Sequence, residues 1–207
     1  MLKSMQKNGL RLSMFALACT GVIVATDYST RDAIATQQET MQQQVLGKML
    51  PADSYDNVLA ADCHLLTSSY LGNAKPHPVY VAHKANVVSG YIIESVAPDG
   101  YSGSIHLLTG VNVSGEVQRV EVLEHHETPG LGDKIDRNKG NWLDSFTHKH
   151  LQNEADSSWA VKKDGGQFDS FTGATITPRA IIKQLKNVLL LVRHPEVIEQ
   201  APACKAE

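Results

Sequence analysis

The run Asp169-Ser170-Phe171-Thr172-Gly173-Ala174-Thr175-Ile176-Thr177-Pro178 crowds hydroxyls and small residues just ahead of a helical pattern. Ile181, Leu185, Val188 and Val192 recur at helical spacing, so the spacing predicts a helix that starts near Pro178. Thr177 is expected as its N-cap and Pro178 as its first residue, where a missing N–H costs nothing. Gly173 permits a sharp turn or the close approach of a ligand. Helix-start N–H groups beside hydroxyls suit a phosphate. A second cluster, Glu127-Thr128-Pro129-Gly130-Leu131-Gly132-Asp133-Lys134, places a proline and two glycines in a rigid loop after a strand pattern. By residue type alone, the first run is a generic anion site or an ordinary capped helix, and the second is a connecting loop.

The elements that must carry these clusters read as α+β. Val79–Ala82, Val87-Val88, Tyr91–Ile93, Ile105–Leu108 and Val117–Leu123 are short β-rich runs, divided by turn clusters such as Pro98-Asp99-Gly100. Val120 to Glu124 alternates as a half-buried strand does. The expected architecture is a mainly antiparallel sheet flanked by helices, behind an N-terminal transmembrane helix. Residues 1–28 form the cytoplasmic tip and anchor, and 29–207 form the soluble domain, with a stalk helix over 29–50 closed by Pro51.

Leu12 to Thr26 is uncharged and mostly apolar, with Lys3, Lys7 and Arg11 before it and Asp27 after it. That asymmetry keeps the amino terminus in the cytoplasm and exports the rest. An uncleaved anchor is favoured over a signal peptide, because no small-x-small site follows the apolar run. The glutamines Gln37, Gln38, Gln42, Gln43 and Gln44 give the stalk a polar face. Cys63 and Cys204 would lie in an oxidising compartment, and the sequence leaves open whether they pair.

Of 207 residues, 42% are hydrophobic and 20% charged, as in a globular protein, and the net charge of −3 provides no basic footprint for nucleic acid. His125-His126-Glu127 would alternate across a strand, and His148 and His150 lie in a charged stretch, so no metal centre is expected. No Gly-x-Gly-x-x-Gly follows a strand, and no nucleophile–base set marks a hydrolase.

Asp169 with Thr172-Gly173-Ala174-Thr175 resembles the flavinylation motif of the FMN-binding domain family: an aspartate, a short spacer, then Thr or Ser, Gly, Ala and Thr. Glu127 to Gly132 resembles a second signature of that family, and Gly100-Tyr101-Ser102-Gly103-Ser104-Ile105 is similar to a third. In this order, behind one anchor, the motifs are similar to those of the G subunits of Rnf-type ion-translocating oxidoreductases. The C subunits of sodium-translocating NADH:quinone reductases are related but typically longer.

The resemblance implies covalent FMN, joined through a phosphoester to Thr175 by a separate flavin transferase that recognises Asp169. It also implies cofactor contacts from Thr172, Gly173, Ala174 and Thr177 at the helix start, and from Glu127, Thr128, Leu131 and Gly132 in the loop. Lys134 beside that loop is a candidate to stabilise reduced flavin. The implied role is electron carriage, with no catalysis by the protein on its own. The implied setting is a bacterial inner-membrane complex, single-pass, with the soluble domain in the periplasm and the other subunits as partners. A membrane-anchored flavin-binding or sensory module is the alternative from another class.

Overall fold

The computed structural model describes residues 2–204, apart from the side chains of residues 2–4, 32, 35, 38 and 39, so those of Lys3 and Gln38 lie outside that description. The chain divides into two compact units between Gln42 and Gln43. The first is helical: α1 runs over Leu2–Leu46. Within it Met5–Arg31, 27 residues with a stretch of mean hydropathy 1.6, is long and apolar enough to cross a membrane. Leu12, Phe15, Leu17 and Ile23 are all exposed there. The hydroxyls of Ser13, Thr26 and Thr30 donate to the carbonyls of Gly9, Val22 and Thr26 at 2.8–3.0 Å. These three hydroxyls thus satisfy themselves inside the helix.

The stalk helix was expected to reach Leu50, but α1 stops at Leu46 and Gly47–Leu50 is a turn. Burial decides this end. Leu46, Met49 and Leu50 fold onto one face of the sheet, packing with Leu59, Tyr80, Ile92 and Leu108. Three residues so placed bury more apolar surface than one further helical turn exposed to water would.

The second unit is built on five strands: β1 (Cys63–Leu66), β2 (His77–Lys84), β3 (Val87–Ala97), β4 (Ile105–Asn112) and β5 (Val117–Glu124). They form an antiparallel meander in the order β1-β2-β3-β4-β5. The expected sheet is present, with two differences. Val87-Val88 and Tyr91–Ile93 belong to one strand, because Gly90 pairs with Ala82 on one side and Asn112 on the other. β1, four residues long, has too short an apolar run to stand out.

α2 (Ile176–Val192) covers the other face of the sheet. Its Ile181, Leu185, Val188 and Leu189 pack on Val79, Val81, Tyr91, Ile93 and Leu107. A short helix, α3 (Pro195–Glu199), returns the chain to β1. There Leu65 N–H donates to the Pro202 carbonyl at 2.7 Å, Cys204 N–H donates to the Cys63 carbonyl at 2.8 Å, and a Cys63–Cys204 disulfide closes the edge. An edge strand paired in this way offers little to a foreign strand.

Between β5 and α2 the chain makes only single turns, at Gly132–Ile135, Trp142–Phe146 and Lys162–Asp164. Aromatic packing holds it. Phe146 lies 4.5 Å from Phe168 between ring centroids, and Trp142 meets Phe146 at 5.0 Å and Phe171 at 5.1 Å, edge to face. Trp159 completes the group at 5.2 Å from Phe168. Such pairs contribute about 0.5–1.5 kcal/mol each beyond their burial, so they stand in for regular hydrogen-bonded structure.

Two outcomes are expected. Replacing Cys63 and Cys204 together by Ser opens a crosslink spanning 141 residues, and denaturant melts should show a loss of about 2–5 kcal/mol. Second, burial, aided by His106 and Lys75, pushes the His77 imidazole below its ordinary 6.5. The folded state therefore binds fewer protons than the unfolded chain just below pH 6.5, and stability from this group falls as pH drops through that window. Subtracting the pH-dependence of Tm of His77→Gln from that of the parent should leave this slope between pH 7 and 5.

Candidate functional site

Three segments far apart in sequence meet at the start of α2. The turn after β3 contributes Tyr101, the loop after β5 contributes Glu127, Thr128, Leu131 and Gly132, and the α2 start contributes Gly173 through Thr177. They enclose a cavity of about 230 Å³. Tyr101, Leu131 and Ile176 form an exposed apolar rim to it.

The start of α2 is held from both sides. Upstream, Phe171 is buried in the aromatic group and the Trp142 indole N–H donates to the Asp169 carbonyl at 2.8 Å. Gly173 then turns the chain at φ +83°, with the Ala174 N–H donating to the Phe171 carbonyl at 3.2 Å. A side chain there would cost about 1–2 kcal/mol in the left-handed region. Downstream, Thr177 is fully buried, and its hydroxyl donates to Glu127 Oε2 at 2.5 Å.

Glu127 is the junction. Its other oxygen accepts from the Ser102 N–H at 3.1 Å, so one buried carboxylate ties the Tyr101 turn, its own loop and α2 together. Gly132 makes room for it: a Cβ there would sit 2.7 Å from Glu127 Oε2 and 2.9 Å from Thr177 Oγ1. The loop is further fixed by the Thr128 carbonyl, which accepts from the N–H groups of Leu131 and Gly132, both at 3.1 Å. Lys139 pairs with Asp133 at 2.7 Å and, together with the Gly130 N–H, holds that carboxyl below its ordinary range.

The helix start differs from the expectation drawn from spacing. Thr175, not Thr177, is the N-cap, and α2 begins at Ile176, so Pro178 is its third residue. Thr177 moves inside because its hydroxyl has a buried carboxylate to satisfy, which outweighs a solvent-exposed cap. The Thr175 side chain makes no capping bond. Its oxygen accepts instead from Arg179 Nη1 at 3.3 Å, while Arg179 Nε and Nη2 grip the two oxygens of Asp164 at 2.7 and 2.8 Å. The guanidinium holds the Asp164 carboxyl below the usual carboxylate range.

Glu127, Thr128, Leu131, Gly132, Gly173, Ala174, Thr175 and Thr177 thus come together around one cavity. Asp169 and Thr172 do not line it. Asp169 is exposed and pairs with Lys162 at 2.7 Å. Lys134 is exposed and outside the cavity wall as well. Among the described residues no cluster has the composition of a metal site. Arg179 and Ile176 do not stand out in the sequence, although Arg179 lies four residues from Thr175, the spacing that brings side chains together on a helix.

This constellation suits a flavin mononucleotide by its donor set. A hydroxyl, a guanidinium and helix-start N–H groups sit at one end for a phosphate. Apolar walls from Leu131, Ile176 and Tyr101 suit a ring, and a buried carboxylate offers an acceptor.

Comparison with known proteins agrees. Residues 100–190 match the FMN-binding domain family, and residues 1–49 match the RnfG N-terminal region. The chain is 45% identical over 205 residues to the G subunit of the ion-translocating oxidoreductase complex of Yersinia pestis, covering 99% of this chain and 98% of that one. It is 46% identical over 203 residues to the corresponding protein of Vibrio vulnificus, covering 98% and 96%. With that of Escherichia coli K12 it shares 44% identity over 205 residues, covering 99% of both.

Gly132→Ala should drive the Glu127 carboxylate off Thr177. An unfolding free energy lowered by about 1–3 kcal/mol is expected in denaturant melts, matched by Thr177→Val, with the double variant no worse than the more severe single one.

Proposed function

The chain belongs to the family of G subunits of Rnf-type ion-translocating oxidoreductases, and on that premise we propose that it carries electrons in a membrane-bound complex through FMN esterified at Thr175. The observation that carries this reading is the Thr175 hydroxyl itself. It stands at the mouth of α2, uncommitted to capping and facing a cavity, with a guanidinium beside it.

A threonine hydroxyl is a weak nucleophile and needs a base to activate it. The neighbour that bonds Thr175 Oγ1 is a donor, Arg179, and not a base, which accords with maturation by a separate flavin transferase. Asp169, exposed upstream of the turn, is a suitable recognition point for that enzyme. Bound FMN would supply the one- and two-electron chemistry. The chain's share is to hold the phosphate at Thr175, to present Leu131, Ile176 and Tyr101 to the ring, and to keep Glu127 as a fixed acceptor. At about 230 Å³ the cavity takes in only part of such a ligand, since pockets that enclose one measure ~300–1,000 Å³. An outward-facing remainder suits transfer to partner subunits.

The domain is assigned to the periplasm and the Met5–Arg31 segment to the inner membrane. Lys7 and Arg11 precede the apolar run, and the Cys63–Cys204 disulfide belongs to an oxidising compartment. The end-to-end match to relatives that are G subunits favours this complex over the related quinone reductase.

Fluorescence under ultraviolet light on a denaturing gel tests the attachment. After co-expression with the transferase the parent band should glow, Thr175→Ala should be dark, and Thr175→Ser should keep part of the label. A dark parent band would end this reading.

A further inference from the structure

We infer that Arg179, clamped by Asp164, is the positioning residue that aligns the Thr175 hydroxyl for flavinylation and afterwards holds the phosphodiester; this rests on the reading of Thr175 as the attachment point.

The guanidinium divides its donors. Nε and Nη2 are spent on the two oxygens of Asp164, which fixes the plane of the group. Nη1 is thereby aimed at Thr175 Oγ1, 3.3 Å away. The hydroxyl oxygen is the acceptor, so its proton points elsewhere and is available to a base. Asp164 is itself anchored, its N–H donating to the Val161 carbonyl at 2.8 Å.

Asp164 neutralises the arginine where it stands near the start of α2. A cation near a helix start otherwise opposes the helix dipole. α2 carries no acidic residue in its own first turn, so the offsetting carboxylate comes from Asp164, outside the helix. Pro178 also removes one of the N–H groups that a phosphate at a helix start would ordinarily use. Arg179 supplies the donor that the proline lacks. Only a planar fork can hold a carboxylate with two nitrogens and still present a third to a neighbour.

In the transfer, the Thr175 Oγ–P bond forms as the P–O bond between the two phosphates of flavin adenine dinucleotide breaks. AMP leaves with the electron pair of that bond, and the hydroxyl proton passes to a base of the transferase. The product phosphodiester keeps one negative charge within reach of Arg179, where a charge-assisted hydrogen bond is about twice as strong as a neutral one.

The full chain, purified in detergent from cells lacking the transferase, is incubated with transferase, FAD and Mg²⁺, and covalent label is followed by gel fluorescence and intact mass. For Arg179→Gln, kcat at saturating acceptor protein is expected to fall about tenfold or more with KM little changed. Arg179→Lys should recover part of that loss, and Asp164→Asn should lose about threefold because the fork is no longer held. Both side chains are nearly half exposed, at 46% and 43%, so the variants retain the fold. Should Arg179→Gln nevertheless melt early, Asp164→Asn decides alone. Parent-like kcat in the decisive variant, a loss confined to KM, or a lysine no better than glutamine overturns the inference. An unlabelled parent overturns the attachment reading instead.

Discussion

A single buried carboxylate organises the binding end of this domain. Glu127 accepts from the Thr177 hydroxyl across fifty residues of chain and from the Ser102 N–H across twenty-five. A buried charge without such donors would cost several kcal/mol, so the three segments that supply and surround them must arrive together or not at all. The cavity is a consequence of that closure, because its walls are the residues on either side of these bonds. Gly132 is part of the same constraint, since a single added carbon would occupy the space in which carboxylate and hydroxyl meet.

That junction works because the chain between β5 and α2 is held without regular structure. Trp142, Phe146, Trp159, Phe168 and Phe171 pack edge to face or tilted, and the last of them directly precedes the Thr172-Gly173 turn. The turn is therefore delivered to the surface from a rigid base. Thr175 is half-buried against the cavity while Phe171 and Thr177, on either side of it, stay buried. Exposure and stability thus fall to different residues of one short run: Thr172 faces outward, and the buried residues hold the place.

The two ends of the sheet solve different problems. At β1 the carboxy-terminal segment adds backbone bonds and a disulfide, closing an edge that takes no part in lining the cavity. On the face opposite α2, the turn after α1 contributes Met49 and Leu50 to a second, smaller core. The end of α1 is set by this burial and not by Pro51, whose effect on the helix would have come four residues later.

Much of this was legible in the sequence wherever the signal is local. The apolar run near the amino terminus, the period-two strands, the helical spacing of Ile181 to Val192 and the small-residue turn at Gly173 each depend on neighbours along the chain. So does the family resemblance of Asp169 to Thr175, which is carried by seven consecutive residues. Tertiary structure alone decided which threonine caps α2, because Thr177 could be drawn inside only by a carboxylate fifty residues away. It also decided that Asp169 faces outward, that Cys63 pairs with Cys204, and that Arg179 links Asp164 to Thr175. Propensity and spacing report what a segment can do alone. These contacts depend on which distant group fills the space beside it, and that is known only once the chain has packed.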